Sequence, residues 1–316
     1  MLRYIMKRLL MMIPVLIGVS LVVYFISSGN PDAVLLQILG DGATEEQIQD
    51  LVEKLDFDKP IIVRYVKWMG GLLQGDLGKS HINNRDVWDT FIQMIPVTLK
   101  LSALSVLVSV VISIPLGIIS ALKNGTLTDN VSMVVALLGL ATPNFWLGLM
   151  LIILFSLNLG WFPSGGVKNG ILSYILPAIT VGTGMTASLT RQTRSSMLDV
   201  LRADYLRTAR AKGVPERRVI LYHALRNALI PIITVIGGQI AATLAGSALT
   251  ETVFAMPGVG RLVVDSVNKL DINMVTGCVT LKSMITATIM LCVDLLYAFV
   301  DPRIKAQFIR GGKKHG

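Results

Sequence analysis

Apolar residues in this chain gather into long, nearly uninterrupted runs. They do not alternate as in half-buried strands, nor stop after the ten or so residues of a soluble core helix. Runs at 9–26, 98–122, 131–159, 171–189, 229–249 and 274–300 each reach about the 20 residues needed to cross a bilayer. The pattern predicts an all-α integral membrane protein with six transmembrane helices. The first run follows Arg3, Lys7 and Arg8 and is long for a cleavable signal. It is read as a retained helix within 1–27.

Polar stretches separate these runs unequally. Segment 28–97 is long, and Thr44 is expected to cap a helix running to Leu55. Tyr65, Trp68, Leu72 and Leu73 recur at helical spacing, which suggests a second helix lying on the outer membrane surface. Gly75, Asp76, Leu77 and Gly78 then make a turn. The membrane-embedded core is expected over 98–300, interrupted by a polar segment at 190–227, and the tail over 301–316.

Composition agrees: 53% of the 316 residues are hydrophobic and 16% charged, with mean hydropathy +0.64. A soluble domain carries roughly a quarter charged residues. The net charge of +9 sits beside the apolar runs, which points to membrane orientation and not to nucleic acid. Segment 190–227 has nine Lys/Arg against three acids, whereas 28–97 has six against eleven. With the basic tail residues Arg303, Lys305, Arg310, Lys313 and Lys314, this places both termini in the cytoplasm and 28–97 outside.

Several runs hold helix breakers: Pro14, Pro115, Pro143 and Pro177. Broken helices line pathways in transporters, although plain packing kinks use the same residue. Among the few polar residues inside the runs are Asn144, Gln239, Lys282 and Asp294. Pro143, Asn144 and Gln239 are the pathway candidates. Asp294 is read as a structural ion pair or interface contact. Gly238, Ala242 and Gly246 form a small-residue stripe for close helix contact, within the chain or with a partner.

Catalytic chemistry is not expected. Gly78-Lys79-Ser80 has the tail of a phosphate-binding loop, but position 73 is Leu where that loop needs Gly. His81, His223 and His315 are scattered, and no metal-ligand spacing or nucleophile elbow is present. Cys278 and Cys292 read as small apolar groups in a helix. No catalytic residue, metal or chain-bound cofactor is assigned, and the absence of a midplane carboxylate string argues against an ion-driven carrier.

The most informative segment is Arg207-Thr208-Ala209-Arg210-Ala211-Lys212-Gly213, followed by Glu216, Arg217 and Arg218. A solvated loop needs no helix-forming order, and a lipid-binding basic patch works in any order. A docking helix uses small residues (Ala209, Ala211, Gly213) for close approach, with charges around them to set register. A membrane scaffold or receptor whose basic loop binds a cytoplasmic protein is the rival from another class.

These residues resemble the coupling segment of ABC-importer permeases of the dipeptide/oligopeptide/nickel branch. The resemblance runs from Met1-Leu2-Arg3-Tyr4 through Gly75-Asp76-Leu77-Gly78, Pro143-Asn144-Phe145-Trp146 and Glu251–Gly260 to Asp301-Pro302-Arg303. Arg207-Thr208-Ala209 replaces the Glu-Ala-Ala of the general permease motif and its proline comes late, at Pro231, as in the peptide branch; further departures stand at Asn30-Pro31 and at 270–273, both on the expected outer side. The resemblance implies one of two permease subunits, with a second homologous permease, two ABC ATPases that bind ATP and Mg, and an extracytoplasmic substrate-binding protein as partners. It implies ATPase coupling through Arg207, Thr208, Ala209, Arg210, Ala211, Lys212, Gly213, Glu216 and Arg217. It also implies an outer loop or gate at Glu251, Phe254, Pro257, Gly258 and Gly260. Di- and oligopeptides are the expected substrates, glutathione or a nickel chelate the alternatives, and the cell membrane the expected location.

Overall fold

The computed structural model describes the backbone of residues 2–300 and the side chains of 5–295. The basic tail and Asp301-Pro302-Arg303 lie outside the described residues. Among the described residues, helices account for nearly all ordered structure, and the one β-bridge joins Lys79 to Asp86. In chain order the helices are α1 (Leu2–Ser27), α2 (Pro31–Leu39), α3 (Glu45–Lys54), α4 (Ile61–Leu73), α5 (Val87–Leu122), α6 (Leu127–Ala141) and α7 (Asn144–Leu151). After α7 a π-helical stretch covers Ile152–Asn158. Then come α8 (Leu172–Leu201), α9 (Asp204–Ala211), α10 (Glu216–Arg218) with a π-helical turn at Val219–Ala224, and α11 (Leu225–Gly246). α12 (Ala248–Val253), α13 (Val259–Asn268) and α14 (Ile272–Val300) complete the chain.

Five helices are long and apolar enough to cross a bilayer, or six spans if α6 and the α7 stretch count as one. That pair is bent by 97° at Thr142-Pro143, so the single span expected over 131–159 is broken. Proline lacks an N–H and pushes the preceding residue out of the helical region, and Thr142 is extended at φ −78°, ψ 123°. Pro14, Pro177 and Pro231 lie inside continuous helices.

The chain divides into two compact units. One comprises Leu2–Thr98 and Met256–Ala287. Its core gathers Tyr24, Val34, Tyr65, Trp68, Val87, Phe91, Ile95, Val259, Met274 and Cys278. Tyr65 and Trp68 are therefore buried, and α4 packs them against Tyr24 with ring centroids 5.6 to 6.2 Å apart instead of laying them on the membrane. Leu73, at 81% exposed, does face outward. Thr44 caps α3 in a capping box with Gln47, as a Thr followed three residues later by Gln favours. The helix expected from 98 begins at Val87, because Val87, Phe91 and Ile95 recur on one face and bury it. Asp271 starts α14: it accepts from the Ser80 hydroxyl and from the Met274 N–H at 3.3 Å.

The other unit comprises Leu99–Ala255 and the described residues from Thr288. α8 is its spine. Along α5, Ser102, Ser105, Ser109, Ser113 and Ser120 are all buried, a small-residue stripe that lets helices approach closely. Ser113 Oγ donates to the Thr186 carbonyl at 3.1 Å, and an added Cβ at Gly182 would lie 2.8 Å from the Ser105 carbonyl. α8 runs past the apolar stretch expected at 171–189 because its polar second half is also packed. Thr190, Thr193, Ser196 and Met197 are buried there.

Candidate functional site

The basic segment is a helix, a turn and a second short helix. α9 opens with Asp204, whose charge suits a helix N-terminus. Leu206, fully buried, anchors it among Met197, Val219, Ala224 and Ala228. The helix ends in a Schellman turn: Val214 N–H donates to the Ala209 carbonyl at 3.2 Å and Gly213 N–H to Arg210 at 2.9 Å. This closure places Gly213 at φ +77°.

Small size at Gly213 therefore answers a backbone need, with no described atom within 4 Å of an added Cβ. Ala209 is half-buried and packs beside Val214 against the unit's own core. Arg207, Thr208, Arg210, Ala211, Lys212, Gly213, Glu216 and Arg217 are all exposed. Across the turn Arg210 holds Glu216 with two hydrogen bonds, Nη2 to Oε1 at 2.8 Å and Nε to Oε2 at 3.1 Å.

Sequence reasoning did not single out Leu221 and Tyr222, which are 59% and 55% exposed beside these charges. With Tyr205 at 44%, they add an apolar component to a cationic face. Asn227 bridges Tyr205 Oη and the His223 carbonyl, both at 2.9 Å, and so fixes the start of α11 against α9. The signal was available: an apolar run from Val219 to Tyr222 follows Arg217 and Arg218 just before a membrane-length segment.

Pro143, Asn144 and Gln239, more than ninety residues apart in sequence at the extremes, line one cavity of about 420 Å³. The break after α6 exposes Asn144 at its edge, beside Gly184. Gln239 is buried, donating through Nε2 to the Met185 carbonyl at 3.0 Å and accepting from Ser109 at 3.4 Å. Thr142, Thr243, Ala242 and Gly246 also line it, with the apolar Leu140, Val181 and Met185, and no lining side chain is charged. Of the expected small-residue stripe, Gly238 and Gly246 meet no described atom. The close approach falls at Gly237, where an added Cβ would lie 2.1 Å from Val293.

The outer-loop candidates fall in both units and are described separately. Glu251 and Phe254 are buried, Glu251 accepting from Ser247 at 2.9 Å. The Phe254 carbonyl accepts from Gly166 at 2.9 Å, and Gly165 lies so close that a Cβ would stand 2.4 Å from that oxygen. In the other unit Pro257 is exposed, Gly258 caps α13 and Gly260 is buried. Among the described residues no group of His, Cys, Asp and Glu could hold a metal ion.

Multiple apolar crossings, a broken helix beside an uncharged cavity and a basic surface turn define a multi-pass membrane subunit built for transport. Residues 113–306 match the family of binding-protein-dependent transport system inner membrane components, and residues 1–102 match that family's N-terminal region. The chain belongs to this family and is a membrane subunit of a transport system with other subunits. It is 39% identical to the oligopeptide transport system permease protein AppB of Bacillus subtilis, over 96% of this chain and 99% of the relative. It is 37% identical to the dipeptide transport system permease protein DppB of Escherichia coli, over 96% and 99%. Among solved structures, the MetNI methionine ABC transporter in an inward-facing form covers 67% of this chain and 96% of its own, with TM-score 0.57 and 15% identity. That likeness is one of fold.

Proposed function

We propose that this chain forms half of the translocation pathway of an ATP-driven ABC importer for di- and oligopeptides. The observation that carries the reading is similarity along almost the entire chain to permeases named for dipeptides and oligopeptides. The partners in this reading are a second homologous permease, two ATPases that bind and hydrolyse ATP with Mg, and an extracytoplasmic binding protein. The chain itself binds no cofactor and catalyses nothing. It lies in the cell membrane with both termini cytoplasmic, so that 28–97 faces outward.

Work enters at the exposed face of α9 and α10. Arg207, Arg210, Lys212 and Arg217 offer cations that steer and orient an ATPase. Tyr205, Leu221 and Tyr222 supply the apolar contact that such a junction needs at its centre. Thr208, Ala211, Gly213 and Glu216 shape the turn, and Ala209 with Leu206 ties it to the α8–α11 core. The cavity at Asn144 and Gln239 belongs to the pathway in this reading: neutral amides and hydroxyls suit a peptide backbone without selecting side chains. Glu251, Phe254, Pro257, Gly258 and Gly260 form the outer loop or gate.

The test is purification of the tagged chain from membranes in mild detergent, followed by ATPase assay. Two ATPases and a second permease should accompany it, with hydrolysis stimulated by a peptide-loaded binding protein. Stimulation by a glutathione- or nickel-loaded one instead would replace the substrate assignment. A chain devoid of ATPase in intact membranes, checked by cross-linking, would overturn the importer reading in favour of a scaffold.

A further inference from the structure

Arg64 is 7% exposed, yet its Nε and Nη1 are buried without any hydrogen-bond partner. A guanidinium taken out of water is costly unless its donors are satisfied. It lies against an aromatic face: Cζ stands 4.8 Å from the centre of the Phe57 ring. Such stacking covers the flat of the group and leaves its in-plane N–H edges for an acceptor. Trp68 Nε1 is a third buried donor without a partner. Arg64, Trp68, Phe57, Tyr24 and His81 line one cavity of about 250 Å³.

The acids at that cavity are already engaged. Asp56 is held by Lys59 and Lys67, and Asp76 accepts from the Gly78 N–H at 2.8 Å. Donors are therefore in excess at Arg64 and Trp68, and what is missing there is an anionic acceptor. The wall carries Lys54, Arg64 and Lys67 against Asp56 and Asp76, a balance that favours an anion.

We propose that this cavity is a binding site for the carboxylate of a small ligand such as the free C-terminus of a short peptide, with Arg64 and Trp68 as its donors. Arginine recognises a carboxylate through paired N–H bonds, which here pair Nη2 with one of the two orphaned donors, and the indole N–H adds a third point that orients it. The volume admits a carboxylate on a short stem and little more. Seating it requires side-chain adjustment of the kind common on binding. The site shares no lining residue with the Asn144–Gln239 cavity.

The experiment uses the full chain in its membrane complex in lipid nanodiscs, without the binding protein. Thermal unfolding is followed during titration with acetate, diglycine, diglycinamide and inorganic phosphate at fixed ionic strength. Acetate and diglycine should raise the midpoint saturably, and diglycinamide should not. Arg64→Gln should weaken that binding by at least about tenfold, Trp68→Phe should weaken it while keeping the ring packing, and the exposed control Arg85→Gln should leave it unchanged. Should Arg64→Gln fail to fold, Trp68→Phe and a cryo-EM map of the wild-type complex in acetate decide the matter. A carboxylate bridging Arg64 in that map supports the proposal. Water alone, an acidic side chain of another subunit, or phosphate binding as tightly as acetate overturns it.

Discussion

Arg194 holds Asp129 side-on, with Nε 2.8 Å from Oδ1 and Nη2 2.7 Å from Oδ2, and so ties the start of α6 to α8. Asp129 also accepts from Ser120 and from the Gly125 N–H at 3.0 Å, and Arg194 Nη2 reaches Asn124 at 2.7 Å. The pair is lopsided: the Asp129 side chain is 4% exposed and that of Arg194 27%. Removing the arginine strands a buried charge, whereas removing the carboxylate frees a cation that can reach water. Arg194→Gln should cost about 3 kcal/mol, near the low end for a broken buried pair because Ser120 and Gly125 still donate. Asp129→Asn should cost clearly less, and the double variant should resemble Asp129→Asn alone. Thermal unfolding of the purified complex checks this, and equal, additive single effects would refute the coupling.

Two roles are open to Gly213, backbone conformation at the turn and close approach to a partner. If the glycine serves backbone conformation, Asn, which tolerates positive φ, should substitute well and Val badly. The strain on a β-branched residue at φ +77° is about 1–2 kcal/mol, enough to unwind the end of α9. Transport should therefore survive Gly213→Asn and fall strongly in Gly213→Val, with both chains inserted normally. Equal loss in the two variants would show that bulk at a partner's surface is what matters.

Stability should fall as pH drops from 7.5 to 5, and His81 is the cause. Burial pushes its imidazole below the ordinary histidine value, and the Asp271 carboxylate opposes that only in part. The unfolded chain takes up a proton near pH 6.5, while the folded chain resists until lower pH. The stability is thus complete above about 6.5 and is lost as pH falls. Asp56, held below the usual carboxylate range by hydrogen bonds from Lys59 and Lys67, contributes in a separate window. Its share is present above about pH 4 and lost below it. His81→Gln should flatten the midpoint between pH 7.5 and 5, and Asp56→Asn should leave that range alone.

Much of this architecture is legible in the chain, and the misses have physical causes. Membrane-length runs are visible because a bilayer demands continuous apolarity, and Thr44 is visible because a cap is a local bond. The start of α5 was hidden because Val87, Phe91 and Ile95 form a face and not a run. The 97° break at Pro143 was hidden because a proline marks a weak point without setting the angle. The serine stripe of α5 was overlooked because single hydroxyls barely alter hydropathy, although their three- and four-residue spacing was there to be read. In the sequence Arg64 is one more loop charge. Its burial depends on Tyr24 and Phe57 reaching the same place, which no local pattern reports.

Asn144 and Gln239 line the same cavity but differ in what their own chain asks of them, and that difference makes the pathway reading testable. Gln239 is bonded on both sides, so Gln239→Leu leaves the Met185 carbonyl and Ser109 without their partner. It should cost about 1–3 kcal/mol of stability as well as transport. Asn144 is exposed at the cavity edge, so Asn144→Ala should change stability by no more than about 0.5 kcal/mol. If the cavity carries substrate, Asn144→Ala should still slow uptake several-fold at saturating peptide while ATPase activity without substrate is unchanged. Measuring uptake and unfolding on the same preparation separates the two. Uptake that tracks stability alone across both variants would remove the cavity from the pathway.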